Sequence, residues 1–231
     1  MSDFADRLAG KFIVLDGPDG AGKGTQLDRL EQTLTDAGVD LVRARDPGGT
    51  AIGDRIRSVL LDHPNTELDV RCETFLFMAS RAQLMGEVIE PALAARKTVL
   101  CDRFVSATCA YQGAAGYDID GALELAKTAI GDRWPDLTLI LEVDVDEGFK
   151  RTGRKSPSRR NEKDGPGQGM LFDGVKTDAL ESRSITYHKK VREIFLSLPG
   201  CYPGRVEIVD GRGSVDEVQA KLIEVIARVD L

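Results

Sequence analysis

The seven residues Gly17-Pro18-Asp19-Gly20-Ala21-Gly22-Lys23 have the types and spacing needed to hold a polyphosphate. Glycines let a backbone approach an anion closely, and N–H groups freed in the turn can converge on its oxygens. A lysine at the end of the turn adds a mobile cation. If a helix starts there, its four unpaired N–H groups and its dipole add positive potential. The pattern G-x-x-x-x-G-K-[ST] is satisfied from Gly17 to Lys23, but Gly24 stands where a hydroxyl belongs and Thr25 follows one place later. An ordinary glycine-rich turn is the competing interpretation. The flanking residues disfavour it: the apolar run 12–15 ends at Asp16 as a buried strand would, and Leu27, Leu30 and Leu34 continue at helical spacing.

Other residues extend the chemistry. Lys23 can bridge β- and γ-phosphates and offset the charge that builds during transfer. Asp102 closes the apolar run 98–101, the place where an acidic group reaches Mg²⁺ beside such a loop, and Arg103 follows it directly. Asp19 is unusual, because a carboxylate within a phosphate loop is repelled unless it faces a metal or a sugar hydroxyl; a solvent-facing turn aspartate is the alternative. Arg45, Arg81 and Arg103 exceed what ATP alone requires, and guanidinium groups suit a second, planar anion. A switch GTPase has no use for that second site, whereas a kinase with a phosphorylated acceptor does. Phe77 and Arg81 lie four apart and share a helix face, as a nucleobase clamp would, although core packing would also account for Phe77.

These groups need a scaffold. Strands are expected at 12–15, 39–44, 98–101, 137–143 and 205–209, separated by helical patterns that include one from about 70 to 95, interrupted at Pro91. Ile52, Ile56, Val59 and Leu60 mark one face of a shorter helix. Later helices are expected at 106–111, 121–130, 176–198 and 215–229. Alternating strands and helices imply an α/β fold: a five-stranded parallel sheet flanked by helices, with right-handed crossovers. Ligands of such sheets bind at the strand carboxyl ends, where Asp16, Arg45, Asp102 and Arg103 fall.

The length of 231 residues suits one domain. A formal charge of −7 argues against general binding of nucleic acid or membrane surfaces, and no apolar run has the ~18 residues of a membrane span. Cys72, Cys101, Cys109 and Cys201 lack metal-ligand spacing, so free, mostly buried thiols and a cytoplasmic setting are expected. Residues 150–164 hold seven basic groups against two acidic ones, net +5, which leaves −12 on the rest. A cationic, glycine-rich segment over about 150–174 is expected to be a flexible lid over polyphosphate; a surface loop or separate anion patch is the alternative.

Together these segments resemble the thymidylate kinase family. The resemblance rests, in order, on residues 17–23, Arg45-Asp46-Pro47-Gly48-Gly49-Thr50, the stretch 76–83 (LFMASRAQ), Asp102-Arg103-Phe104, the stretch 110–113 (AYQG) and 135–141 (PDLTLIL). It implies a P-loop kinase fold and phosphoryl transfer from ATP to dTMP with Mg²⁺, commonly in a homodimer. It implies that Gly17, Gly20, Ala21, Gly22, Lys23, Gly24 and Thr25 hold ATP, and that Asp102, Thr25 and Asp19 lie near the metal, Asp19 alternatively near the sugar 3′-hydroxyl. For the acceptor it implies that Arg45 and Arg103 grip the phosphate, Phe77 stacks on thymine, Arg81 donates to O4, Thr108 lies near the base and Tyr111 beneath the sugar. Gly20 and Ala21 leave the loop without an arginine, so Arg151, Arg154 or Arg159 from the lid should supply transition-state charge. The acceptor is already an anion, so no general base is needed, and neither histidine is expected to serve as one. The chain departs from the family at Phe104, where Tyr or His is usual, and Gly24-Thr25-Gln26 is closer to adenylate and UMP/CMP kinases. Another nucleoside monophosphate kinase, or a P-loop protein that binds without transfer, therefore stands beside the main expectation.

Overall fold

A computed structural model describes residues 2–62, 68–153 and 183–231. Five parallel strands form its sheet: β1 (Phe12–Asp16), β2 (Leu41–Arg45), β3 (Thr98–Asp102), β4 (Leu137–Glu142) and β5 (Val206–Asp210), in the spatial order β2-β3-β1-β4-β5. Strand side chains alternate between two cores, as the pleat requires. Phe12 and Val14 pack on one face with Val99, Cys101 and Ile140; Ile13 and Leu15 pack on the other with Leu100, Leu139 and Leu141.

Helices α2 (Lys23–Asp36) and α10 (Val215–Arg228) cover the second face, and Leu27, Leu30 and Leu34 of α2 are fully buried there. Each such leucine contributes about 1.5–3 kcal/mol of burial free energy. Ser214 opens α10 with a reciprocal capping box to Glu217. The first face is covered by α4 (Val70–Leu84), α6 (Val105–Ala114), α7 (Ile119–Ile130) and α9 (Ile185–Ser197). The interruption expected at Pro91 is present, with a new helix that carries Pro91 in its first turn. A π-turn over Met85–Ile89 precedes α5 (Glu90–Ala94), and this wider turn accommodates the residue that lacks an N–H.

Two helices escape periodicity because each is only seven residues long: α1 (Ser2–Leu8) and α8 (Val145–Arg151). The expected apolar face of α3 (Ala51–Leu61) also needs correction. Leu60 is buried, but Ile52 and Val59 are 51% and 50% exposed, because α3 packs on α4 through the side that carries Gly53 and Leu60. Cys101 and Cys109 are buried, whereas Cys72 and Cys201 are exposed; all four are free. Of the expected lid, everything beyond Gly153 lies outside the described residues, as do Arg154, Arg159 and the expected helix start at 176. Among the described residues, no helix is long and apolar enough to cross a membrane.

Candidate active site

The strand order reverses at β1, and parallel pairing aligns the carboxyl ends on either side of it. Leu15 is in register with Asp102, Asp102 with Arg45, and Asp16 with Ile140. The loop after β1 therefore opens into the crevice where such sheets bind ligands.

Three of its glycines are required by the backbone. Gly17 has φ +137°, and a Cβ there would lie 2.3 Å from the Leu141 carbonyl oxygen. Gly20 has φ +77°, and a Cβ would lie 2.2 Å from the carbonyl oxygen of Gly148 on α8. Gly22, at φ +90°, is the left-handed N-cap of α2. Gly24 differs, since a Cβ there would meet nothing within 4 Å.

Lys23 folds back under this loop, its Nζ donating to the carbonyls of Gly17 (2.8 Å) and Pro18 (2.9 Å). Burial, aided by the nearby Arg103 charge, pushes its ammonium pKa down to about 8 against the pull of Asp19, Asp16 and Asp102. Lys23, Thr25, Asp19, Asp102 and Arg103 line a common cleft.

Arg103 is held in an unusual way. Its backbone sits at φ +63°, a left-handed conformation that costs a non-glycine residue of the order of 1–3 kcal/mol. The guanidinium donates to Asp19 Oδ1 (2.7 Å), to the Gly17 carbonyl (3.3 Å) and to Asp16 Oδ1 (3.4 Å), and lies over the Tyr111 ring. Asp16, fully buried, is also fixed by donation from Ser106 Oγ and the Gly17 N–H; burial raises its pKa against the nearby cations. Asp19 Oδ1 also accepts from the Tyr111 hydroxyl at 2.9 Å. Burial works against the Asp19 charge, yet Arg103, Lys23, Tyr111 and His188 together hold its carboxyl below the ordinary value.

Arg81 of α4 is almost fully buried. Its Nε donates to Asp46 Oδ2 at 2.6 Å, and its Nη2 donates to Thr108 Oγ1 (2.9 Å) and the Phe104 carbonyl (3.1 Å). Burial raises the Asp46 pKa and Arg81 opposes the rise. Phe77 is buried at 7% exposure, so core packing and a base-stacking role both remain compatible with its place on α4. Arg45 remains half exposed, paired with Asp54 at 3.2 Å, and shares a groove with Asp102.

Gly20, Ala21, Gly22 and Thr25 also border a second cleft, with Arg151 of α8 and Gly211, Gly213 and Ser214 after β5. Arg151 donates to the Gly211 carbonyl (3.0 Å) and Glu147 (3.0 Å), so it stands at the β5 side of the loop.

Several site residues escaped the sequence. His188 is buried on α9 with Nδ1 4.0 Å from Asp19 Oδ2, so a histidine does reach the site. No motif places it, because α9 lies 169 residues from Asp19 in the chain. Asp46 was visible only as part of its loop segment. The Gly211-Arg212-Gly213-Ser214 turn could have been found by inspecting every strand's carboxyl end.

Known proteins match this arrangement closely. The family model described as Thymidylate kinase matches residues 15–168. The thymidylate kinase of Halalkalibacterium halodurans is 38% identical over 218 residues, covering 94% of this chain and 96% of that one. The thymidylate kinase of Syntrophotalea carbinolica is 41% identical over 208 residues, 90% of each. A crystal structure of thymidylate kinase from Ehrlichia chaffeensis superposes with a TM-score of 0.69 at 28% identity, covering 95% of this chain and 99% of that one. A family model matched over residues 15–168 and identities of 38–41% across at least nine-tenths of this chain leave one conclusion: the chain belongs to the thymidylate kinase family.

Proposed function

We propose that the protein transfers the γ-phosphoryl group of ATP to a phosphate oxygen of dTMP, giving dTDP and ADP for dTTP synthesis. The observation that carries this is the single cleft containing both Lys23 and Arg103, a donor-side and an acceptor-side cation separated by Asp19.

The loop N–H groups and Lys23 hold the ATP phosphates, with the nucleoside toward Arg151 and the turn after β5. Arg103 and Arg45 take the dTMP phosphate. Phe77 stacks on thymine, Arg81 donates to O4 with Thr108 beside it, Tyr111 lies under the sugar, and Asp19 accepts from the 3′-hydroxyl. The attacking phosphate oxygen is already anionic, so no proton need be removed. The bond from the γ-phosphorus to its bridging oxygen breaks as the new one forms in line, and catalysis is positioning and charge neutralisation. Arg151, Arg154 or Arg159 adds the transition-state cation.

Mg²⁺ fits the residues present. Asp102 and Thr25 offer hard oxygen donors beside Lys23, and Mg²⁺ needs only one or two such groups alongside phosphates. Asp19 could offer only Oδ2, since Oδ1 already accepts from Arg103 and Tyr111 while Oδ2 has no hydrogen-bond partner among the described residues. Bound with ATP, the ion would neutralise phosphate charge. The cytoplasm is the proposed location, in keeping with four free cysteines. A homodimer is proposed through the packed pair α3 and α4, which leaves Ile52, Val59 and Phe75 each about half exposed.

Turnover on dTMP, dUMP, dCMP, CMP and AMP with Mg-ATP tests the substrate. dTMP should lead and dUMP should follow, because a methyl group is worth only ~1–3 kcal/mol. A preference for AMP or CMP would overturn the assignment.

A further inference from the structure

We infer that Asp46 sets the choice of acceptor base by orienting Arg81. The inference deepens the proposed function and rests on the assignment of Arg81 to the base.

Arg81 carries five N–H donors in a rigid fork. Nε is taken by Asp46 Oδ2 at 2.6 Å, and Nη2 by Thr108 Oγ1 and the Phe104 carbonyl. Among the described residues Nη1 has only the Met78 thioether, at 3.0 Å, a weak acceptor. Nη1 is thus the edge with donor capacity left for a ligand carbonyl, and the other two nitrogens decide where it points. Three separate segments fix them: the loop after β2, the turn after β3 and α6. Of these partners only Asp46 is an anion.

Asp46 is itself committed to this task. It is 2% exposed, and among the described residues its second oxygen, Oδ1, has no hydrogen-bond partner. A buried carboxylate with one oxygen unsatisfied is costly, and Arg81 provides its compensation. The pair is closed to solvent on both sides, with 1% and 0% of the two side chains exposed. A guanidinium held with Nη1 left to donate suits O4 of thymine or uracil and meets an amino group in cytosine. Loosened, it can turn or withdraw and the distinction weakens. Asp46 is therefore a positioning residue. It need not touch the nucleotide.

The test is the ratio of kcat/KM for dTMP to that for dCMP, measured with Mg-ATP on one preparation of each full-length variant. Active-enzyme concentration cancels in this ratio, so a merely structural role for Asp46 would lower yield and Tm without moving it. Asp46→Asn preserves shape and removes the charge; Asp46→Ser serves if that variant is recovered unfolded. The ratio is expected to fall at least tenfold, with KM for ATP within about twofold of the parent. Arg81→Lys, which loses the fork, should lower the ratio as well. An unchanged ratio in the Asp46 variants beside a lowered one in Arg81→Lys overturns the role of Asp46 and leaves the proposed function standing. An unchanged ratio in all variants removes Arg81 from the base, and the inference with it.

Discussion

Arg103 Nη2 and Asp19 Oδ1 stand 2.7 Å apart, so the arginine after β3 rests on the one carboxylate within the phosphate loop. In the proposed reaction the pair joins the donor and acceptor halves of the site. Asp19→Asn keeps the shape and removes the charge, leaving Arg103 with Asp16 as its paired carboxylate, besides the Gly17 carbonyl and the Tyr111 ring. Steady-state kinetics should show kcat/KM for dTMP reduced ~10²–10³-fold, about 3–4 kcal/mol of transition-state stabilisation, with KM for ATP changed less than threefold. An equal loss on the ATP side would place Asp19 with the donor instead.

Lys23 should make nucleotide binding pH-dependent. In the free protein its pKa is about 8, and phosphates favour the protonated form. ATP binding should therefore take up close to one proton per site above pH 8, and affinity should fall roughly tenfold per pH unit from there toward the ordinary lysine value of ~10.4. Calorimetry in buffers of different ionisation enthalpy reads the proton directly. Stability has the opposite sign. A depressed lysine pKa gives a contribution that is complete above the unfolded value and lost as pH falls through about 8, so the unliganded protein gains stability across that window. A flat binding profile from pH 7 to 9.5 would refute the assignment.

Two loop glycines should respond differently to alanine. At Gly20 a Cβ meets backbone at 2.2 Å in a left-handed conformation, and Gly20→Ala should cost about 2–4 kcal/mol of stability together with most activity. At Gly24 the space is open, so Gly24→Ala should leave Tm within ~2 °C and kcat within about threefold. Thermal unfolding and kinetics on both variants suffice; a collapse of Gly24→Ala would give that glycine a purpose the geometry does not reveal.

The exposed face of α3 and α4 provides a test of assembly. Phe75 is 56% exposed, and Phe75→Glu should halve the mass seen in analytical ultracentrifugation if two chains meet there. An unchanged dimer would move the interface elsewhere.

Much of this was legible in the sequence, for physical reasons that differ by element. The three central strands, β1, β3 and β4, were visible because both sheet faces cover them and make their sequences nearly continuous in apolar residues, whereas the edge strands β2 and β5 interleave Arg43 and Glu207 with apolar residues. The loop after β1 was visible because close backbone approach admits few residues besides glycine. Arg45, Arg81, Asp102 and Arg103 were noticed as charges at strand ends or on a helix face. What they grip was not visible: the Arg103–Asp19 and Arg81–Asp46 pairs join residues 84 and 35 positions apart, and only the fold brings them together. His188 reaches Asp19 from α9 in the same way, with no spacing in the chain to mark it. The face of α3 misled in another way, since helical spacing reveals an apolar stripe without revealing whether this chain or another covers it.

The approach of Gly20 to Gly148 also limits how this protein can change over generations. A side chain at position 20 would strike the backbone of α8, and one at position 148 would come within 2.5 Å of the Asp19 carbonyl oxygen. Neither position can drift alone while the loop and helix keep their present seats. A lineage that moved its catalytic cation onto the loop at position 20 would first have to reseat α8, along with the anchorage of Arg151 that α8 carries. The two glycines, 128 residues apart, form one heritable unit.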